Sequence, residues 1–275
     1  MIQLGAAYYP ELWEESEITR DIERCREYGI GVLRVGEFAW GRMEPSEGNF
    51  ELDWLERIVD RLHAADIDVI LCTPTCTPPR WLMNKYPEVR QVSYTGAREN
   101  VSSRCHPCKS SPLMREKNRL VTEQLARRFG SHPGVVGWQI DNELYIYRDG
   151  CYCPACRAAF RDYLRTKYGT VEELNRRLGM ARWPLDYASF EEIDPPQPNE
   201  WRPSLRTVWR RFQEALICDY AREQADILHR YTKAPVGTDM MPMNDLSYYD
   251  MNRPMDVVMY NHYDAADDLP RTTCP

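Results

Sequence analysis

The chain has 275 residues, 43% hydrophobic and 28% charged, which supplies enough apolar mass for one large domain with a real core and argues against a disordered chain. Its 35 basic and 42 acidic residues leave a net charge of -7, and no Lys/Arg cluster forms a phosphate-binding face, so neither nucleic acid nor an anionic membrane is an expected partner. The N-terminus has no basic stretch followed by an apolar one, and no apolar run reaches membrane-spanning length; the expected location is the cytoplasm.

Strand-like and helix-like segments alternate from the start. Residues 5–9 predict a first strand, and residues 14–28 place Ile18, Ile22 and Cys25 on one helical face before Gly29 stops the helix. Residues 31–38 predict the second strand. A helix then opens at Asp53, read as its cap with Glu56 reaching back, and lines Leu55, Ile58, Val59 and Leu62 along its buried face. The third strand is expected at 69–73. From Pro74 to Ser111 runs a connection long enough, if structureless, to point to function. Ser111 and Pro112 make a cap and first-turn pair for a helix running to Phe129 and stopped by Gly130.

The fourth strand, Val135-Val136-Gly137-Trp138-Gln139-Ile140, reads as buried on both faces and ends in the polar triplet Asp141-Asn142-Glu143. Residues 144–203 read as an inserted lobe within one barrel domain spanning 1–275. The lobe holds a helix through Tyr168, a capping box at Thr170 and Glu173, and a loop rich in Pro and Trp. A helix over 204–231 is expected to bury Val208, Phe212, Leu216 and Tyr220, and strands follow at 236–240 and 257–263.

Strict alternation implies a parallel sheet with right-handed crossovers, either doubly wound or a (β/α)8 TIM barrel. No Gly-rich phosphate turn follows the first strand, and polar residues gather at many strand ends, namely Tyr8, Glu37, Glu143, Asp239 and Tyr263. That distribution predicts a barrel, incomplete at about six of eight strands, with exposed edges at the first and sixth.

Of ten cysteines, Cys25, Cys72 and Cys218 fall in apolar stripes or strands and read as small buried hydrophobes in a reducing compartment. The others of interest are spaced differently. Cys151, Cys153 and Cys156 put three thiols on one tight turn, and Cys108, 43 positions earlier, can supply a fourth, the tetrahedral sulfur shell that structural zinc prefers. A redox pair or a disulfide is the alternative, and Cys105 competes with Cys108 for the fourth place.

Trp138-Gln139-Ile140-Asp141-Asn142-Glu143 resembles the acid/base motif of the glycoside hydrolase family 42 β-galactosidases. The likeness extends to Tyr8-Tyr9-Pro10-Glu11, Arg34-Val35-Gly36-Glu37-Phe38-Ala39-Trp40, Thr73-Pro74-Thr75-Cys76-Thr77-Pro78-Pro79 and the cysteine cluster, and so covers essentially the whole chain. It implies a retaining β-galactosidase acting on terminal β-D-galactosides, with Glu143 as general acid/base; β-D-fucoside or α-L-arabinopyranoside cleavage is the neighbouring expectation. Retention needs one carboxylic acid to protonate the leaving oxygen and a second carboxylate roughly 5 Å away to attack. The resemblance further implies that Asn142 bonds the sugar hydroxyl beside the reacting carbon, that Arg104 contacts the sugar, and that Trp183 packs on the galactose. It implies a structural zinc on Cys108, Cys151, Cys153 and Cys156, and a homo-oligomer for full-length members. Trp81, Glu37 and His262 are read as support for the pocket.

One part of the pattern has no match. The family's nucleophile is a glutamate at the end of the seventh strand, and Asp239, Asp264 and Glu37 stand at positions that the resemblance does not assign to attack. The expectation is therefore a truncated chain, inactive alone. A zinc-stabilised carbohydrate-binding protein without catalysis is the competing reading.

Overall fold

Five parallel strands lie side by side in the order of the chain: β1 (Gly5–Tyr8), β2 (Val32–Val35), β3 (Asp68–Cys72), β4 (Val135–Gln139) and β5 (Val236–Gly237). The computed structural model describes residues 3–101, 104, 107–181, 185–241 and 246–261. A further parallel pair joins β6 (Asp239–Met240) to β7 (Met259–Tyr260). Only Thr238 separates β5 from β6, so the strand predicted over 236–240 is one segment shared between two partners. Its first half bonds to β4, its second half to β7, and the Thr238 hydroxyl at the break donates to the Ile140 carbonyl at 2.8 Å. Six strand segments thus follow one another in parallel, as an incomplete (β/α) barrel requires.

Helices fill the connections: α1 (Glu15–Glu27), the short α2 (Trp40–Met43), α3 (Asp53–Ala64), α4 (Arg80–Lys85), α5 (Pro112–Phe129), α6 (Pro154–Tyr168), α7 (Val171–Leu178), the 26-residue α8 (Pro203–Leu228) and α9 (Tyr248–Asn252). The main core forms where Leu33 and Val35 of β2, Val69 and Leu71 of β3 and Trp138 of β4 meet Leu55, Val59 and Leu62 of α3 and Val121, Leu125 and Phe129 of α5. Burying each such side chain contributes about 1.5–3 kcal/mol, which is why the period of the apolar residues predicts these helices. A second core gathers Phe160 and Leu164 of α6, Leu174 of α7, the four spaced cysteines, and Leu205, Val208, Trp209 and Phe212 from the first half of α8. The second half of α8, through Ala225, Ile227 and Leu228, belongs to the main core.

Several local expectations are corrected. Asp53 does not cap α3: the cap position is Leu52, and the carboxylates of Asp53 and Glu56 turn instead to Arg128 of α5, at 2.7 and 2.9 Å. A charged donor outcompetes the main-chain N–H there. Thr170 does cap α7, accepting from the Glu173 N–H at 3.2 Å, but Glu173 turns its own carboxylate to Arg176 at 2.8 Å rather than back to the cap. Val136 is not buried: the register between β3 and β4 slips between Val69 and Ile70, leaving Val136 as an extra residue that bulges outward, 38% exposed. Leu216 is only half-buried, its neighbour Ile217 taking the inward place on α8. The connection from Pro74 to Ser111 is not structureless, since Pro79 starts α4, Pro87 opens a single 3-10 turn, and residues 90 and 92 bridge to 107 and 98.

Candidate active site and a four-cysteine cluster

The polar residues that follow β2, β4 and β5 meet at one side of the sheet. Glu37 follows β2, Asn142 and Glu143 follow β4, and Asp239 opens β6; all four are at least nine-tenths buried. Glu143 accepts from the Asn261 side-chain amide at 2.6 Å on Oε1, and its Oε2 lies 3.5 Å from Nη2 of Arg104. Its backbone N–H donates to Oδ1 of Asp239 at 2.9 Å.

The orientation of Asn142 follows from its partners. Its Nδ2 donates to Oε1 of Glu37 at 2.8 Å and to Oδ2 of Asp239 at 3.2 Å, while its Oδ1 accepts from Nη1 of Arg104 at 2.7 Å. Both amide hydrogens are therefore committed to carboxylates, and what remains for a ligand is acceptor capacity on Oδ1. Arg104 is about half exposed and its guanidinium stands 5.6 Å from the centre of the Phe38 ring, which itself stacks on Tyr9.

Beneath these residues lies a second set. Glu37 accepts from Tyr9 Oη at 2.8 Å, Arg34 Nη2 at 3.0 Å, Gln139 Nε2 at 3.2 Å and Asn142, so donors occupy both of its oxygens. Arg34 Nη1 also donates to Gln139 at 2.9 Å and lies 3.4 Å from Asp239. Burial, then the bond to Glu37, pushes the Tyr9 phenol up to about 12. Burial also raises the Asp239 carboxyl, to about 6, against the pull of the Glu143 N–H and Arg34. Asp141, which starts the polar triplet, accepts from Thr75 at 2.6 Å and Tyr220 at 2.9 Å and so ties the end of β4 to the end of β3 and to α8.

The structure thus brings together three expected residues, Glu143, Asn142 and Arg104. Trp183, His262, Tyr263, Asp264 and Cys105 lie outside the described residues. Arg34, Gln139 and Asp141 stand in the motif stretches and Asn261 in the predicted sixth strand, but none of the four was assigned a part in the site. The signal for Arg34 and Gln139 was present: each is a polar side chain inside an otherwise apolar strand, and in a barrel such a position points at the mouth or at a buried partner. A cavity of about 740 Å³ between α8 and α9, lined by Arg211, Glu214, Cys218, Arg222, Asp250 and Arg253, shares no residue with this cluster.

The second constellation is sulfur. The Sγ atoms of Cys108, Cys151, Cys153 and Cys156 all lie within 4.8 Å of one another, each buried, with Cys108 3.4 Å from both Cys153 and Cys156. A disulfide needs about 2.05 Å, and all four are free thiols. Four sulfurs about 2.3 Å from a common centre would stand roughly 3.8 Å apart, so this buried set has the spacing of a tetrahedral metal shell. Two N–H groups already point at it, from Val92 to Cys151 at 3.4 Å and from Cys156 to Cys153 at 3.5 Å. Hydrogen bonding within the cluster pulls the Cys153 and Cys151 thiols down, from Cys108 foremost, and pushes those of Cys108 and Cys156 up.

The profile of glycoside hydrolase family 42, described as "Beta-galactosidase", matches residues 7–273. Among curated proteins the chain is similar to the β-galactosidase YesZ of Bacillus licheniformis, 35% identical over 266 residues that make up 96% of this chain and 40% of that protein. It is likewise similar to a β-galactosidase of Thermus thermophilus, 38% identical over 269 residues, 94% of this chain and 41% of that protein. Among solved structures it superposes on a β-galactosidase from the Antarctic haloarchaeon Halorubrum lacusprofundi with a TM-score of 0.91 at 35% identity, covering 95% of this chain and 40% of that one. The chain therefore spans about 40% of the length of the relatives it matches.

Proposed function

The chain belongs to glycoside hydrolase family 42, and from that premise we propose that it forms the acid/base half of a retaining β-galactosidase acting on terminal β-D-galactosides. The observation that carries the reading is the setting of Glu143: a nearly buried carboxyl at the end of a barrel strand, with Asn261 on one oxygen and Arg104 beside the other.

In this reading Glu143 gives its proton to the glycosidic oxygen as the bond to the anomeric carbon breaks, then takes one from the water that releases the sugar. Asn142 accepts a hydrogen bond from the neighbouring hydroxyl on Oδ1, since its amide hydrogens are held by Glu37 and Asp239. Arg104 fixes that oxygen and lends positive charge beside the carboxylate left on Glu143 after proton transfer. Trp183 is assigned the apolar face of the galactose. Glu37 and Asp239 are poor candidates for attack because donors occupy their oxygens, so the nucleophile is proposed to be a glutamate of a later barrel strand.

Zinc is the metal proposed for Cys108, Cys151, Cys153 and Cys156. With four protein sulfurs it has no open position for water, so its contribution is to tie the lobe to the segment that carries Arg104. The free, buried thiols fit a reducing compartment, the basis for proposing a cytoplasmic location, and a homo-oligomer is proposed for the full-length protein.

The test is a panel of aryl β-galactosides, β-fucosides and α-L-arabinopyranosides on the full-length protein, with the anomer first released read by NMR and Glu143→Gln as control. Release of β-galactose as the first product, and a loss of about 10²–10⁴ in kcat/KM for the variant, are expected. An inverted product, or a variant as active as the parent, would sink the reading.

A further inference from the structure

Glu143 ends its strand with φ at 48°, and Asp141 two residues earlier sits at 55°, both in the left-handed region that residues with side chains rarely occupy. Such conformations persist only where the surroundings over-determine them. For Asp141 the restraint comes from Thr75, Tyr220 and the N–H of Asn142 at 2.8 Å. For Glu143 it comes from another strand.

Asp239 reaches Glu143 by two routes. Its Oδ1 accepts the Glu143 backbone N–H at 2.9 Å; its Oδ2 accepts Nδ2 of Asn261 at 3.3 Å, and that same nitrogen donates to Oε1 of Glu143 at 2.6 Å. Oδ2 also accepts from Asn142 at 3.2 Å, with Arg34 3.4 Å away. A carboxylate surrounded by donors in this way has no oxygen directed at a substrate, which separates its role from attack. Replacing it by any apolar residue would release the backbone and the carboxyl of the acid at once.

We propose that Asp239 is the positioning residue of the acid/base, holding the main chain of Glu143 directly and its carboxyl through Asn261 so that the proton faces the glycosidic oxygen. This rests on the glycosidase reading and adds to it a residue that acts only through another. It also fixes what should be lost without it. Protonation matters for a poor leaving group and hardly at all for one that departs unaided, so a displaced acid is felt by the first kind of substrate alone.

The experiment compares Asp239→Ala with the parent full-length protein on phenyl β-galactoside and on 2,4-dinitrophenyl β-galactoside. The loss in kcat/KM is expected to reach about a hundredfold on the phenyl substrate, within the range that general acid catalysis contributes, and to stay under about tenfold on the dinitrophenyl one. Asp239→Asn, which keeps an acceptor for the Glu143 N–H but turns an amide donor towards Asn142 and Asn261, should give the same ordering with smaller losses. Equal losses on both substrates in a variant with the circular dichroism of the folded parent overturn the proposal, as does no loss on either. If neither variant folds, Asp239 belongs to the fold and the proposal fails as well. A parent protein that cleaves no β-galactoside removes the glycosidase reading, and the proposal with it, whereas the other outcomes leave that reading standing.

Discussion

Asn142 has no amide hydrogen to spare, since one goes to Glu37 and the other to Asp239. Glu37 and Asp239 spend their charge on orienting Asn142 and Glu143, and burial makes that arrangement sensitive to pH. The folded-state value of Asp239, about 6, lies above the ordinary 3.8, so the fold prefers the protonated form. The stability this group contributes is therefore fully present below about pH 4 and is lost as pH rises through about 6, a change of about 3 kcal/mol for a shift of roughly two units. Urea unfolding of the full-length protein and its Asp239→Asn variant between pH 4 and 7 checks this: the stability of the parent relative to the variant should fall as pH rises, and a constant difference would contradict it. At this scale much was legible, because Glu143, Asn142 and Arg104 carry motif signals of their own. Arg34 stands out as a polar residue in an apolar strand, but its partner Asp239 lies 205 positions away and no local pattern announces a partner that far off.

At the scale of elements, periodicity placed the long helices within a few residues of their observed ends, since burial of one face decides them. Caps were harder. Ser111 and Asp53 look equally suited to the task, yet the Ser111 hydroxyl accepts the Met114 N–H at 3.3 Å while Asp53 turns to Arg128. Ser111→Ala should accordingly cost about 1 kcal/mol, by chemical denaturation, and Asp53→Ala less than about half of that because it breaks only an exposed ion pair. Equal costs would mean that the Ser111 bond contributes nothing. The strand over 236–240 was legible as a strand but not as a segment divided between β4 and β7, because the division depends on where neighbouring strands lie and not on its own residues.

Among the described residues three apolar clusters are buried, and the four sulfurs lie within the second of them. Cys108 precedes α5 and lies four positions beyond Arg104, while Cys151, Cys153 and Cys156 follow Glu143, so the cluster clasps the two segments that bring Glu143 and Arg104 together. Removing metal with a chelator, with loss confirmed by elemental analysis, should lower the melting temperature of the full-length protein by several degrees and raise KM before the fold is lost; an unchanged melt would count against a structural metal. The cysteine spacing made this cluster readable, but the extent of the lobe was less so, because Leu205 to Phe212 look from the pattern alone like any other stretch of a long helix. They are in fact the near end of a rod whose far end is rooted in the barrel. One continuous helix, α8, contributes side chains to all three clusters and so couples their packing. Amide exchange along α8 should show one continuous plateau of protection from Leu205 to Leu228, and whatever loosens one end should be registered at the other.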